Sequence, residues 1–195
     1  MIIRVFCVFL LAVFSAKVLA VTLLEVGTSD PKEGVESYKF KAPYKEITSA
    51  YLELGDDLSL LNVAITAKAK EKFRVQLQLE TSMTVMNEGP HLDLTGWKHC
   101  TTDWIMAKKL SEFKFALPNF EEIDISCFPK VSSEEIKEEV LKRGGEHWVK
   151  VIEEAPSEYS ATDVGISSAR IKVEKLVDGK WLLVTVLDFY VPLGC

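Results

Sequence analysis

The sequence predicts an α+β fold: mainly an antiparallel β-sheet or small β-sandwich, with one amphipathic surface helix and a C-terminal β-hairpin. Three stretches carry this expectation. Arg170–Val177 and Lys180–Val191 flank Asp178-Gly179, and Asp-Gly between two β-prone runs signals a hairpin because a type I′ turn needs positive φ at both central residues. Phe73, Val75, Leu77 and Leu79 alternate with Arg74, Gln76, Gln78 and Glu80, the period of a strand with one wet face. Ser133–Arg143 carries a capping box, with Ser132 as N-cap and Glu135 as its reciprocal partner, and it stops at Gly144-Gly145.

Taken in order, the chain opens with Met1-Ile-Ile-Arg4, the apolar run Val5–Phe14 and Val18-Leu-Ala20. This is the pattern of a secretory signal too short to span a bilayer, so residues 1–20 are read as a signal peptide and 21–195 as one exported β-rich domain. Cys7 lies at the start of the apolar run, which argues against a lipoprotein. Val21–Val26 reads as an edge strand, followed by a polar connection to residue 46. Tyr51–Leu54 ends at a turn in Gly55-Asp-Asp57, and Leu61–Ala67 puts Leu61, Val63 and Ile65 on one strand face. The alternation that begins at Phe73 runs on through Thr81, Met83 and Val85, and Asn87-Glu-Gly-Pro90 breaks it.

Trp97, Trp104 and Ile105 fit either a strand or the start of a short helix capped by Thr102 or Asp103. Phe113–Leu117 is a strand that stops at Pro118. In the helix, Val131 and Ile136 form a hydrophobic staple, Ile136, Val140 and Leu141 form the apolar stripe, and Glu138–Lys142 and Glu139–Arg143 are helix-spaced ion pairs. His147–Ile152 reads as a further strand. Glu153–Ser168 reads as a long polar connection, and connections of that length are often binding loops. A two-residue turn at Asp178-Gly179 sets Val177 opposite Lys180, Val173 opposite Val184 and Ile171 opposite Val186. On the other face Arg170, Lys172 and Glu174 oppose Leu187, Thr185 and Leu183. The second strand is then apolar on both sides, as suits an interior strand covered on both faces.

Composition narrows the partner class. Losing Arg4 and Lys17 with the leader leaves 21 basic against 29 acidic side chains, a formal charge of −8 in place of −6. That balance argues against nucleic acid or an anionic membrane and favours a basic partner or a neutral ligand. Cys100, Cys127 and Cys195 remain, enough for one bridge and one free thiol; Cys100–Cys127 is the expected pair because Cys195 is the terminal residue. The mature chain has no Asn-x-Ser/Thr site.

The sequence contains no Gly-x-Ser-x-Gly, phosphate-binding glycine loop, Cys-x-x-Cys or His-Glu-x-x-His motif. His91, Asp93, His99 and Asp103 lie close in sequence but at no spacing that fixes them on one face, so neither a metal nor any other cofactor is expected. Cys100 with His147, oriented by Asp163 or Asp188, would supply the thiol and imidazole of a cysteine hydrolase, in the order papain-like folds use. Gly145-Glu-His-Trp-Val149 loosely resembles the His-bearing strand of transglutaminase-like and cell-wall peptidase families. The resemblance covers these few residues and implies cysteine hydrolysis. A structural disulfide at Cys100 is the competing reading.

The acidic stretch Glu153–Asp163, with Glu153, Glu154, Glu158 and Asp163 around Tyr159, has the composition of a surface for a basic protein. Trp97, Trp104, Trp148 and Trp181 could line a glycan or lipid pocket, though such tryptophans more often fill a core. The leading expectation is a non-enzymatic, secreted or periplasmic binding protein, comparable in size, charge and export to inhibitors and immunity proteins. The alternatives are the cysteine hydrolase and a carrier holding an apolar ligand inside the sheet.

Overall fold

The structure, a computed structural model, describes residues 21–28, 37–52, 61–86, 90–119, 126–155 and 161–193. Residues 1–20, read as a leader, Gly55-Asp-Asp57, read as a turn, and Glu158, Tyr159 and Cys195 lie outside the described residues. The chain forms β1 (Leu23–Thr28), β2 (Tyr38–Lys41), β3 (Ile47–Tyr51), β4 (Leu61–Thr66) and β5 (Phe73–Met86). Five short strands follow: β6 (His91–Asp93), β7 (His99–Thr101), β8 (Ile105–Met106), β9 (Lys108–Lys109) and β10 (Lys114–Ala116). Helices α1 (Ser133–Gly144) and α2 (Glu146–Glu154) lead into the long strands β11 (Thr162–Val177) and β12 (Lys180–Tyr190).

The strands make two sheets. The first runs β2-β1-β4-β10-β9, and the second runs β3-β12-β11-β5-β6, with β7 and β8 also paired to β5. Among the described residues all pairings are antiparallel except β3 on β12. The inward faces share one buried cluster. Leu24, Val26, Val63, Ile65 and Phe115 of the first sheet meet Val75, Leu77, Leu79, Ile171, Val173, Leu187 and Phe189 of the second. Tyr38 and Phe40 of β2 stand edge-on to Phe189, ring centroids 5.4 and 5.9 Å away. Met83 and Val85, next in the alternation of β5, pack instead with Leu94, Ile136, Val140, Ile152 and Ala161. The far end of the long strand is thus where the helices dock.

Several expectations change. β1 is interior, bonded to β2 and β4; the edge is β2, where Tyr38 and Phe40 alternate with Lys39 and Lys41, a short lysine-bearing strand of the kind that blunts edges. Residues 97–104 form no helix, and β7 and β8 pair with β5. β11 begins at Thr162, so much of the stretch read as a polar loop is strand. Its Asp, Gly and Ser residues disguise it, but β5 offers an unpaired edge and Ser167 meets Ser82 at 2.8 Å.

Asp178 and Gly179 have φ of 51° and 79°, and Val177 lies opposite Lys180. Beyond Leu183 the register departs from the uninterrupted one: Glu174 faces Leu183, but Val173 faces Thr185 and Ile171 faces Leu187, leaving Val184 as the extra residue of a β-bulge. An unbroken register would set Asp188 opposite Ala169 in the core. The bulge sends Asp188 outward and brings Leu187 and Phe189 in, both fully buried. β12 pairs on both edges, yet Trp181, Leu182 and Leu183 are each 37 % exposed, so both-face cover fails at its start.

His147 lies in a helix, not a strand. Trp148, Val149, Ile152 and Ala155 recur at i, i+1, i+4 and i+7, a helical face, and they join the second cluster. The β-branched Val149, Val151 and Ile152 imitate strand propensity; docking on β5 overrides it. α1 keeps its capping box, but Leu141 is 51 % exposed and Glu139 is buried, so Leu141 leaves the predicted stripe. Lys142 pairs with Glu139 at 3.4 Å rather than with Glu138.

Candidate functional site

The two helices meet at Gly145, whose φ of 76° favours glycine and turns the chain. Gly145 N–H donates to Leu141 C=O at 3.0 Å, and Trp148 N–H donates to Gly145 C=O at 3.2 Å. Between the helices lies an open groove of about 400 Å³. Leu141 of α1 and Val149 of α2 form its apolar part. Glu138, Glu146 and Glu153 stand around them with Lys137 and Lys150.

The charges divide into two groups. Glu139 accepts from Arg143 Nε at 2.5 Å while Arg143 Nη1 donates to Thr95 C=O at 2.9 Å. The Arg143 bond, with Lys142 nearby, holds the Glu139 carboxyl below its ordinary range. Glu135 accepts from Lys98 at 2.7 Å and from Ser132 N–H at 2.9 Å. First the Lys98 bond and then the Ser132 bond lower its pKa to about 2. The Lys98–Glu135 and Arg143–Thr95 contacts tie α1 to residues 95–98, and Lys142 is occupied by Glu139 within the helix. Glu153 reaches Lys137 at 3.7 Å. Among the described residues Glu138, Glu146 and Glu154 are exposed and have no ion pair, against one such cation of the helix pair, Lys150. The helix pair therefore presents surplus negative charge around two apolar side chains.

The residues picked from sequence scatter. Glu153 and Glu154 sit in the last turn of α2, while Asp163 lies on β11 opposite Thr84, its Oδ1 accepting from Val164 N–H at 2.8 Å. Glu153 joins Glu138, Glu146 and Leu141, which sequence reading left out. Helical spacing across 145–154 was the signal that could have found Glu146; Glu138 and Leu141 come to the groove through the packing of α1 on α2.

Cys100, on β7, is 5 % exposed and bonded to Cys127, with Cα atoms 5.6 Å apart. While that bond stands its sulfur is no thiolate nucleophile. His147 is exposed on α2, edge-on to Trp148 at 5.9 Å. Asp188 accepts from Ser168 Oγ at 2.7 Å and pairs with Arg170 at 3.4 Å; Arg170 also reaches Glu80 at 3.0 Å, a cross-strand ladder on the outer sheet face. His91 Nδ1 lies 3.0 Å from Asp93, which also accepts from Thr84 Oγ1 at 2.9 Å. His99 and Asp103 are exposed, and among the described residues no three metal-ligating side chains converge.

Trp148 and Trp97 pack in the second cluster. Lys172 lies 4.2 Å over the Trp104 ring and Arg74 lies 4.7 Å over Trp181. Among the described residues no helix is long and apolar enough to cross a membrane. No family model matches the chain, and no curated protein matches it.

Proposed function

We propose that the protein is a non-enzymatic, exported binding protein of the inhibitor or immunity type, and that it docks a basic protein through the acidic groove between α1 and α2. One observation carries this reading. α1 buries a carboxylate, Glu139, and leaves Leu141 51 % exposed in a groove rimmed by three glutamates, Glu138, Glu146 and Glu153, and two lysines, Lys137 and Lys150. A helix that served only its own core would do the opposite. An apolar anchor within a charged rim is the anatomy of a protein interface. Surplus carboxylates at the rim would speed encounter with a positive partner.

The rest of the molecule suits such a role. The two sheets are read as a small sandwich that holds the helices on its long strand, and the Cys100–Cys127 bond fits an oxidising, secreted or periplasmic setting. The test is kinetic. The protein is immobilised, salt-eluted partners are collected from the exported fraction of its source, and association is compared with a Glu138→Lys, Glu146→Lys, Glu153→Lys variant. The variant's association rate falls about tenfold or more at low salt, and the gap narrows as salt is added. An unchanged rate at low salt refutes the groove as the docking surface.

A further inference from the structure

Among the described residues β3 ends the second sheet, with β12 on one edge and no strand on the other. Val186 N–H donates to Glu46 C=O at 2.8 Å and Leu52 N–H donates to Tyr190 C=O at 3.0 Å. Between these bonds the parallel register runs from Ile47 opposite Val186 to Tyr51 opposite Tyr190. Successive residues of a strand turn their peptide groups to alternate sides. Glu46 and Leu52 turn theirs to β12, so Ile47, Ser49 and Tyr51 turn theirs to the outer edge. Among the described residues no strand pairs there.

Ser49 is the middle one of these three residues. A two-fold axis at Ser49 sets Ser49 against Ser49 of a second copy and Ile47 against Tyr51 of that copy, at both ends. In an antiparallel pair so centred, every outward N–H and C=O of the three finds a partner. Ile47 and Tyr51 are 56 % and 75 % exposed, and Tyr51 stacks on Tyr190 with centroids 5.1 Å apart. The same axis lays Ile47 of each copy beside the other's exposed tyrosine pair. Thr48 and Ala50 face one another on the opposite side.

Charge agrees with this occupant. The chain carries a formal −6, yet Ile47-Thr-Ser-Ala-Tyr51 has no ionisable side chain except the tyrosine phenol, and no Lys, Pro or bulge blunts the edge. The seam is neutral where two acidic molecules would otherwise repel. We propose that two copies of this chain pair β3 to β3 about Ser49, joining their second sheets into one continuous sheet. A five-residue seam hides less than the roughly 1,200 Å² of a standard interface, so the dimer is weak and reversible. It uses none of the groove residues.

Sedimentation velocity of the exported protein between about 1 and 500 µM tests this. Wild type is expected to pass from monomer to dimer across that range. Ser49→Lys, at an exposed position, puts like charges face to face on the axis and raises the dissociation constant about tenfold or more, with melting and circular dichroism unchanged. Ile47→Lys weakens the dimer, and adding Tyr51→Glu restores it, because each new ammonium then faces a new carboxylate of the other copy. Wild type that stays monomeric throughout overturns the proposal. So does a dimer indifferent to Ser49→Lys in a folded protein, or a double variant no tighter than Ile47→Lys alone.

Discussion

Truncating Ile152 to alanine should destabilise the protein by about 3 kcal/mol, and the reason separates the helix from the strand that the local sequence suggests. Ile152 is 1 % exposed and packs with Met83, Val85, Leu94, Ile136 and Val140. Removing three carbons at roughly 0.8 kcal/mol each loses about 2.4 kcal/mol of transfer free energy, and the cavity left between α2 and β5 adds to it, within the ~2–5 kcal/mol found for such truncations. In a domain of this size that corresponds to a melting temperature lower by about 6–12 °C. The control is Leu141→Ala, which removes a similar apolar volume from a residue 51 % exposed and should change stability by no more than about 0.5 kcal/mol. Urea unfolding with the disulfide intact reads both. A loss under about 1 kcal/mol for Ile152→Ala, or equal losses for the two variants, refutes the docking of α2 through this face.

Other outcomes follow from the same contacts. Ser132→Ala removes the side chain that accepts from Glu135 N–H and should cost about 1 kcal/mol, measured by urea unfolding; no loss means the cap does not hold the helix start. Glu135 has a folded pKa of about 2 against an ordinary value of 4.5, so its contribution is complete above pH 4.5 and is lost as pH falls through 2. Unfolding free energy should drop over that window and drop less in Glu135→Gln; identical slopes contradict the Lys98 contact. Replacing Cys100 and Cys127 together by serine opens a loop of sequence separation 27, worth about 3.5 kcal/mol in the chain-entropy form. Thermal unfolding checks this, and an unchanged melting temperature contradicts it.

The parts of the fold legible in sequence were those where local chemistry and burial agree. Phe73–Leu79 alternates because one face meets the other sheet, and the Ser132–Glu135 box caps α1 through contacts three residues apart. What stayed hidden depends on distant partners. The bulge at Val184 exists because Asp188 must leave the core, a demand set by Ala169 across the hairpin. α2 looks like a strand because valine and isoleucine favour strands, and only the far end of β5 makes its helical face pay off in burial. The candidate groove was partly legible: Glu153 stood out by charge, whereas Glu146 joins it only through the helical spacing of α2, and Glu138 and Leu141 only through the packing of α1 on α2.

The docking claim is tested most directly by covalent capture at its centre. A photo-cross-linking residue in place of Leu141, exposed in the groove, is introduced alongside a second protein carrying it at Leu110, which is 50 % exposed on a different part of the surface. Both are irradiated in the exported fraction of the source organism. One dominant adduct with a basic protein is expected at position 141 and none at 110, and it should disappear when Glu138, Glu146 and Glu153 are reversed to lysine. An adduct that survives the reversal, or equal labelling at both positions, contradicts the docking claim.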